Sequence, residues 1–494
     1  MQKVANQSVI GKKGSVSAAN PLAVSAALEI FSLGGNAADA AIAAQAVLCV
    51  VAPEACGLGG DGLSLLATST GEVFALNGTG KWGEKSNVNK QCSDGGNSVT
   101  IPGISTQWSE MSSRFGKFSL AQSLTPAIKI AEDGHRLTDL TAKAVVAQRD
   151  RLIAGGASNW SVFSSEVGDL VKQPRLAESL RLISENGKNW IRSKSVANSV
   201  IMAVQQAGGN LDFNDFESHE IEVGEPAKVR FGDGLLTTQP PMSQGILLSM
   251  VANFVHKNVI EVQESITDIE LEHLLIELTE GVFQYRDQVC KGDELLSFQL
   301  NPNRFTASRI GGPRAYLHTA GVATADSDGL VVSSLVSVFD DFGSCIFVPE
   351  IGVTLNNRAG SFTAGDNRPR ASFRPVHTLA PAIWSGSRGT IAIATPGADG
   401  QIQTLIQVLS KWLISGYSLS EAISMPRWRS EFGNLLIEES HQLNSEFRNR
   451  GHQVESRSNG ANVFGAVVAA GLIGEKSTPT AWADWRRQVR AGAN

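Results

Sequence analysis

The chain has 494 residues, of which 42% are hydrophobic and 18% charged, a composition that is typical of a folded globular protein and excludes a largely disordered one. Its formal net charge of −6 provides no basic surface for a nucleic acid. The N-terminus is polar and no apolar run is long enough to cross a bilayer, so we expect a cytoplasmic protein without a membrane partner. The five cysteines show no paired CxxC spacing, which indicates reduced thiols.

The first predicted elements are two helices. Asn20 is placed to cap a helix that starts at Pro21 and ends at the glycines that begin with Gly34. Asn36 can cap a second helix, residues 37 to about 50, which is rich in Ala and almost entirely apolar. Such a helix must be buried on most sides.

A glycine-rich run, residues 57–62, follows these helices. It lacks the Gly-Lys-Ser/Thr ending and the preceding strand of a phosphate-binding loop, so a close-packed turn is favoured. Two strands, at residues 63–66 and 73–76, are predicted next.

The middle of the chain, from about residue 120 to residue 288, is predicted to be mostly helical. Residues 296–316 lack periodicity and predict an exposed connection. Strands and helices come in blocks rather than as repeated βαβ units, which favours sheets stacked between helical layers. The predicted helices are 120–132, 176–186, 195–206, 266–285, 401–414 and 418–424, and the later strands are 346–348, 352–355, 382–384 and 390–394.

A predicted hairpin covers residues 318–337. Its second strand, residues 330–337, is rich in Val, Leu and Ser, and the preceding Ser-Asp-Gly favours a tight turn. Centring the pairing on Asp328 places Thr319 opposite Ser337. Two facing hydroxyls offer chemical possibilities, although Thr and Ser are also common in strands. The residues alone therefore favour an ordinary hairpin.

Seven segments, in order along almost the whole chain, resemble the gamma-glutamyltranspeptidase superfamily. Each segment alone is weak, whereas the ordered set is specific. They are Asn20-Pro21-Leu22-Ala23, Gly34-Gly35-Asn36-Ala37-Ala38-Asp39-Ala40-Ala41, Gly57-Leu58-Gly59-Gly60-Asp61, Thr100-Ile101-Pro102-Gly103, the Thr319 hairpin, Gly352-Val353-Thr354-Leu355-Asn356-Asn357-Arg358 and Thr395-Pro396-Gly397-Ala398-Asp399-Gly400-Gln401.

The resemblance implies an α+β fold, an αββα four-layer sandwich of the N-terminal-nucleophile hydrolase type. It implies a precursor that cuts itself between His318 and Thr319 into fragments 1–318 and 319–494, which share one core as a heterodimer and can assemble further. The freed Thr319 would be the nucleophile, with its own amine as base.

The resemblance also supplies the partners of the nucleophile. Ser337 matches the second hydroxyl residue of the family. The N–H groups of Gly397 and Ala398 match its oxyanion hole, because Ala in place of the second Gly still provides an N–H.

Departures from the family pattern point to a different substrate. True gamma-glutamyltranspeptidases hold the glutamyl group with an Arg, an Asp and paired Ser residues, whose positions match Thr79, Ser361 and His377-Thr378 here. The ionic clamp on an α-amino acid is therefore missing.

A second branch of the superfamily fits better. It includes oxamate amidohydrolase, which cleaves a small amide carrying a carboxylate. By this resemblance Arg358, His377, Thr378 and Lys81 would bind the carboxylate. The segments that resemble this branch are Leu76-Asn77-Gly78-Thr79-Gly80-Lys81, Asn357-Arg358-Ala359-Gly360-Ser361-Phe362, Arg374-Pro375-Val376-His377-Thr378-Leu379 and Pro426-Arg427-Trp428.

The sequence also departs from this branch, at positions near the predicted cleavage site and at one predicted substrate-binding position. His318 stands where an Asp commonly precedes the nucleophile, and Gly321 and Ala323 replace a His and a Ser shortly after it. Lys81 stands where the branch commonly has Arg.

Alternatives remain open at each position. Arg358 can be a surface Arg, His377 a core His satisfied by backbone, and Lys81 a solvated Lys. Asp399 can orient the oxyanion loop, but capping the helix that begins near residue 401 is favoured. No set of His, Cys and Glu has metal-ligand spacing, so no metal is predicted, and no cofactor.

Three functions are therefore compared. The first is an autoprocessed amidohydrolase that acts on a small acidic amide. The second is a gamma-glutamyltransferase or glutathione hydrolase. The third is an uncleaved pseudoenzyme or binding protein, which denaturing electrophoresis would separate from the other two.

Overall fold

The structure is a computed structural model that describes residues 8–87, 94–313, 319–360, 365–368 and 370–494. These residues contain twenty-one strands, fourteen in two central sheets and seven in three smaller sheets. In chain order they are β1 (Ser8–Ile10), β2 (Gly14–Ala18), β3 (Asp61–Ala67), β4 (Val73–Asn77), β5 (His135–Arg136), β6 (Leu170–Val171), β7 (Glu222–Gly224), β8 (Ala227–Phe231), β9 (Gly234–Thr238), β10 (Ala320–Asp326), β11 (Val331–Ser337), β12 (Phe347–Val348), β13 (Val353–Thr354), β14 (Ala382–Gly386), β15 (Gly389–Ala394), β16 (Trp428–Glu431), β17 (Asn434–Glu438), β18 (Gln453–Arg457), β19 (Val468–Ile473), β20 (Thr478–Ala483) and β21 (Arg490–Ala493).

The α-helices pack outside these strands. In chain order they are α1 (Pro21–Leu33), α2 (Ala37–Val51), α3 (Ile104–Phe115), α4 (Leu120–Asp133), α5 (Asp139–Ala147), α6 (Arg149–Ala154), α7 (Pro174–Asn186), α8 (Asn189–Arg192), α9 (Lys194–Gln206), α10 (Phe213–Glu217), α11 (Gly245–Val255), α12 (Asp268–Phe283), α13 (Gly400–Leu413), α14 (Leu419–Ser424) and α15 (Asn444–Asn449). None of the described helices is both long and apolar enough to cross a membrane.

Two seven-stranded sheets lie face to face. One has the strand order β1-β20-β19-β15-β14-β9-β8 and the other β21-β2-β10-β11-β3-β4-β7. Their facing side chains form one buried core, in which Leu65 and Ala323 of the second sheet meet Ile383 and Val468 of the first. The first sheet packs outward against α11 to α14, and the second against α1 to α4, α7 and α9. The predicted αββα sandwich is therefore confirmed.

The two N-terminal helices form as predicted. The Asn20 side chain accepts from the N–H of Leu22 at 2.8 Å, and Gly34 ends α1 in the left-handed conformation. Every residue of α2 is buried, and Asn36 and Asp39 form a capping box at its start. These caps fix the layer that lies behind the hairpin.

The hairpin β10–β11 has the predicted register. Ala320 pairs with Val336 and the pairing is centred on Asp328, with Gly329 at a φ of 101° in the turn. Asp326 accepts a hydrogen bond of 2.8 Å from the N–H of Ala37, so the hairpin is fastened to the N-terminal end of α2.

The prediction of mostly helical structure between residues 120 and 288 is wrong for residues 222–238. This stretch forms β7, β8 and β9, and the last two complete the edge of the first sheet. In β8 the exposed Lys228 and Arg230 alternate with buried neighbours, a period of two that identifies a strand. Neighbouring long helices had obscured that signal.

Candidate active site

Thr319 and Ser337 lie side by side at the start of the hairpin. The register of β10 and β11 places them opposite each other, and the Thr319 hydroxyl points to the Ser337 oxygen at 3.5 Å. That distance is long for a hydrogen bond between hydroxyls. Ser337 Oγ also accepts from the N–H of Phe339 at 2.9 Å, which fixes the serine more firmly. His318 lies outside the described residues.

Asp61 extends this row by one more strand. It is the direct cross-strand partner of Ser337 in the β3–β11 pair. Directly opposite residues in an antiparallel pair project to the same face of the sheet. The ends of three neighbouring strands therefore present Thr319, Ser337 and Asp61 along one edge.

The Asp61 carboxylate is held by two basic side chains. Arg358 Nε donates to it at 3.0 Å and His377 Nε2 lies at 3.2 Å, and all three residues are buried. Burial alone would raise the pKa of Asp61, but the hydrogen bond from His377 and the charge of Arg358 outweigh it and lower that pKa. Asp61 is therefore an anion.

His377 uses both ring nitrogens inside the protein. Its Nδ1 accepts from the N–H of Leu379 at 3.2 Å, so Nε2 carries the proton that faces Asp61. Burial, with the nearby charge of Arg358, lowers the pKa of His377 to about 4. The ring is neutral and orients Asp61, and neither nitrogen is left for a substrate.

Arg358 retains two unused donor groups. Its guanidinium is fully buried over the ring of Phe339, 4.7 Å from the ring centroid, and Nη1 and Nη2 have no hydrogen-bond partner among the described residues. A buried guanidinium usually satisfies all its donors. Two unsatisfied N–H groups beside the Ser337 strand end are suited to an incoming anion.

The side chains of Asn356 and Asn357 hold the loop that carries Arg358 in place. The side-chain oxygen of Asn356 accepts from the N–H groups of Thr100 and Arg358, each at 3.1 Å, and its amide donates to the carbonyl of Gly59 at 2.9 Å. Asn357 donates to Asp340 at 2.8 Å. The pair thereby joins three loops that the chain order separates and sets the position of Arg358.

Gly397 and Ala398 follow β15 and present free N–H groups. Neither N–H donates to any residue in the described part of the chain. Both residues have positive φ angles, 125° at Gly397 and 44° at Ala398. Residues other than glycine seldom adopt such angles, so the conformation of Ala398 is unusual. The next residue back, Pro396, lines a cavity together with Thr319, so this loop lies beside the hydroxyl. Free N–H groups beside a nucleophile can stabilise an oxyanion.

Gln244 supports this loop from below and was missed in the sequence. Its buried side-chain amide donates to the carbonyl of Ala398 at 2.7 Å and to the carbonyl of Thr378 at 2.5 Å. One side chain thus ties the candidate oxyanion loop to the segment that carries His377. Gln244 lies just before α11, at the end of a segment, residues 239–245, in which two prolines interrupt the helical pattern, and that interruption was the available signal.

Asp399 does not cap α13, so that prediction is wrong. It occupies the N-cap position without a side-chain capping bond. Instead its two oxygens accept from Arg286, at 2.8 Å from Nε and 3.1 Å from Nη2. A two-pronged bond to Arg outweighs a capping bond to a backbone N–H.

Glu54 is a second residue that the sequence did not single out. It lines the cavity next to Thr319, is buried, and accepts from the hydroxyl of Thr141 at 2.9 Å. Burial raises the pKa of Glu54 to about 7. A carboxyl group poised near neutrality can exchange a proton within the cavity. A lone Glu in an apolar run was the available signal.

Lys81 and Thr378 are less closely connected to the site. Lys81 is half-buried and forms no ion pair with a described residue. Its charge acts on His219, whose pKa falls to about 3 mainly through burial. Thr79 is buried and donates to Asn77, and Ser361 lies outside the described residues.

Buried neutral histidines predict a loss of stability in acid. Burial lowers their folded-state pKa values, whereas an unfolded histidine titrates near 6.5. The residues are His135 and His377, each with a pKa of about 4, and His219, with a pKa of about 3.

Between those values the unfolded chain binds more protons, so the free energy of unfolding falls with falling pH, by up to about 1.4 kcal/mol per pH unit for each histidine. The raised pKa of Glu54 acts in the opposite direction, as do the raised pKa values of Asp39, Asp326 and Asp340. The lowered pKa values of Asp61, Glu272, Glu438 and Asp484 act in the same direction as the histidines. We expect the urea midpoint to be lower at about pH 5 than at about pH 7, and a His219→Gln variant to reduce the difference. An unchanged midpoint would contradict this.

Comparison with known proteins identifies the class. The structure resembles that of cephalosporin acylase from Bacillus halodurans, with a TM-score of 0.86 and 24% identity over 99% of this chain and 97% of that one. The fold, with Thr319 at the head of its central hairpin, is that of an N-terminal-nucleophile hydrolase. The family model for gamma-glutamyltranspeptidase matches residues 23–493. The chain therefore belongs to the gamma-glutamyltranspeptidase family, and the predicted family and its enzymatic nature are confirmed.

Two relatives cover nearly the whole chain. The glutathione hydrolase-like YwrD proenzyme of Bacillus subtilis (strain 168) is 29% identical over 492 residues, which is 91% of this chain and 93% of that protein. The oxamate amidohydrolase proenzyme of Klebsiella pneumoniae subsp. pneumoniae is 25% identical over 509 residues, which is 94% of this chain and 95% of that protein.

Proposed function

We propose that the protein is a proenzyme that cuts itself between His318 and Thr319. The Thr319 hydroxyl attacks the carbonyl carbon of residue 318, the peptide nitrogen takes a proton and leaves, and an ester joins residue 318 to Oγ. Water then hydrolyses the ester. The products are fragment 1–318, with a new carboxylate, and fragment 319–494, with a free amine on Thr319. Both relatives described above are named proenzymes, which supports this step.

The freed Thr319 then acts on an amide substrate. Its α-amine accepts the hydroxyl proton while Oγ attacks the amide carbonyl. The N–H groups of Gly397 and Ala398 donate to the oxyanion that forms. The leaving nitrogen takes the proton, and water hydrolyses the acyl-enzyme. Ser337 fixes the hydroxyl, and Glu54 offers a proton acceptor in the same cavity.

We further propose that the substrate is a small amide carrying a carboxylate. The observation that carries this proposal is the pair of unsatisfied N–H groups on the buried Arg358. Asp61 takes only Nε, so the outer fork of the guanidinium keeps the geometry that grips a carboxylate. The oxamate amidohydrolase relative supports the same substrate class.

The other candidate donors contribute differently. The two ring nitrogens of His377 are engaged by Asp61 and Leu379, so His377 acts by orienting Asp61. Lys81 and Thr378 remain proposed substrate contacts. A bulky apolar acyl group would leave the Arg358 donors unpaired, which disfavours it.

The experiment compares oxamate with oxamide, which replaces the carboxylate by a second neutral amide. In wild type we expect oxamate to be strongly preferred. Arg358→Lys keeps the charge but loses the fork, and should lower kcat/KM for oxamate by about 10- to 100-fold, mostly through KM, without impairing self-cleavage. Arg114→Lys makes the same change at an exposed Arg on α3 and should behave like wild type. Equal turnover of both amides, or an unaffected Arg358→Lys, would refute the carboxylate pocket.

Glutathione hydrolysis is the second candidate function. The glutathione hydrolase-like relative has the higher identity of the two described above, which favours it. Glutathione therefore belongs in the same substrate panel. We expect it to be a poor substrate, because the position matched to the family's ammonium-binding Asp is Ser361, and the other matched positions, Thr79 and His377-Thr378, are not acidic either. Efficient turnover, accelerated by a dipeptide acceptor, would favour this second function.

A further inference from the structure

Three buried side chains that could bind a metal ion lie close together: His273, Glu277 and His452. His273 and Glu277 are one turn apart on α12, and His452 lies directly before β18. One ligand atom from each residue lies within 4.8 Å of the others. The absence of a metal-ligand spacing in the sequence concealed this group, because the third member is 175 residues downstream of the second.

The two imidazoles are arranged as neutral ligands. His273 Nε2 donates to the carbonyl of Asn303 at 3.0 Å, so its Nδ1 carries a lone pair that faces His452 Nε2 at 2.8 Å. A carbonyl that fixes the distal nitrogen is the usual support of a metal-bound histidine.

Glu277 is a buried carboxylate without a cationic partner. It accepts from the N–H and the hydroxyl of Ser308, but no Lys or Arg pairs with it in the described part of the chain. Glu280 is also buried and lacks an ion pair with any described residue. Two carboxylates that lack cations leave a negative region which a metal ion would neutralise.

We propose that His273, Glu277 and His452 bind a divalent transition-metal ion, for which Zn²⁺ is the best match. Two imidazole nitrogens and one carboxylate oxygen are a common zinc ligand set, with water as a fourth ligand. Tetrahedral ligands at about 2.0–2.1 Å from zinc lie about 3.3 Å apart, so the two rings need to separate by only a few tenths of an ångström. The proton on His452 Nε2 moves to Nδ1 of the same ring as the metal binds.

We assign the site a structural role, because all three ligands are buried and they join α12 to the segment before β18. It also anchors the connection that leads towards the predicted cleavage position, since Asn303 and Ser308 belong to that connection. After cleavage, His273 and Glu277 belong to fragment 1–318 and His452 to fragment 319–494, so the metal joins the two fragments. Only this last consequence rests on the proposed self-cleavage.

The test is a Zn²⁺ titration of full-length, chelator-treated protein against a competing indicator, together with the visible spectrum of bound Co²⁺. We expect one ion per chain, a tetrahedral Co²⁺ spectrum and a Tm that rises with Zn²⁺. The uncleavable Thr319→Ala chain should bind equally well, which separates metal binding from self-cleavage.

Variants decide whether these three residues are the ligands. His452→Gln and Glu277→Gln should each weaken Zn²⁺ binding by at least about tenfold. His256→Gln, at a separate His–Glu pair, should not change it. Glu277→Gln keeps an acceptor for Ser308 and remains informative if His452→Gln fails to fold. No stoichiometric binding by wild type, or full binding by a folded His273→Gln/His452→Gln chain with zinc on the free cysteines, would overturn the proposal.

Discussion

Thr319→Ala is expected to yield an uncut chain of 494 residues without amidase activity. In the proposed mechanism the hydroxyl is the attacking group in both self-cleavage and turnover, so its removal should stop both at the first bond-forming step. We expect a loss in kcat of at least about 10³-fold. Denaturing electrophoresis reports the cleavage, and release of ammonia from oxamate reports the turnover.

Thr319→Ser is the matched control, because it keeps the oxygen and removes only a methyl group. It should still be cut, more slowly, and should retain measurable turnover. Folding of the alanine variant is checked by its Tm, because only a folded, uncut chain is informative. Cleavage or turnover that survives in a folded Thr319→Ala protein would exclude Thr319 as the nucleophile.

Local signals in the sequence were sufficient for the hairpin and the first helices. The register that places Thr319 opposite Ser337 follows from a turn and two strands that are adjacent in the chain. Caps such as Asn20 and Asn36 act on the next few residues, so they are also visible locally. In each case the interacting groups are close in sequence.

The neighbours of the hairpin could not be predicted in the same way. Asp61 meets Ser337 only because β3 lies next to β11, and that strand order depends on how the whole sheet assembles. Gln244 reaches Ala398 across 154 residues. Such contacts are set by tertiary packing, which no local propensity encodes.

Arg358 shows where a family motif helps and where it stops. The Asn-Asn-Arg run indicated a residue near the site, but the surface alternative remained open on sequence alone. The structure buries Arg358 completely and assigns one of its donors to Asp61. The part of Arg358 that the described residues leave unpaired is therefore its two terminal NH2 groups rather than the whole side chain.

Asp61→Asn is expected to cause a large loss of stability. The amide has nearly the same shape but no charge, so Arg358 is left buried with an uncompensated cation. Removing one partner of a buried pair costs about 3–5 kcal/mol. The His377 ring also loses the anion that its Nε2 proton faces. Urea unfolding of wild type and variant measures the difference as a shift in midpoint.

Two further variants show whether buried charge is the cause. Asp94→Asn removes the same group from a pair with Arg151 at the surface, where the loss should stay below about 1 kcal/mol. Asp61→Asn combined with Arg358→Met removes both buried charges and should recover part of the lost stability, although the carboxylate pocket is then gone. If Asp61→Asn costs no more than Asp94→Asn, the Arg358–Asp61–His377 group is not held together by the charge of Asp61. Interactions other than the ion pair with Asp61 would then have to hold the Arg358 guanidinium in position.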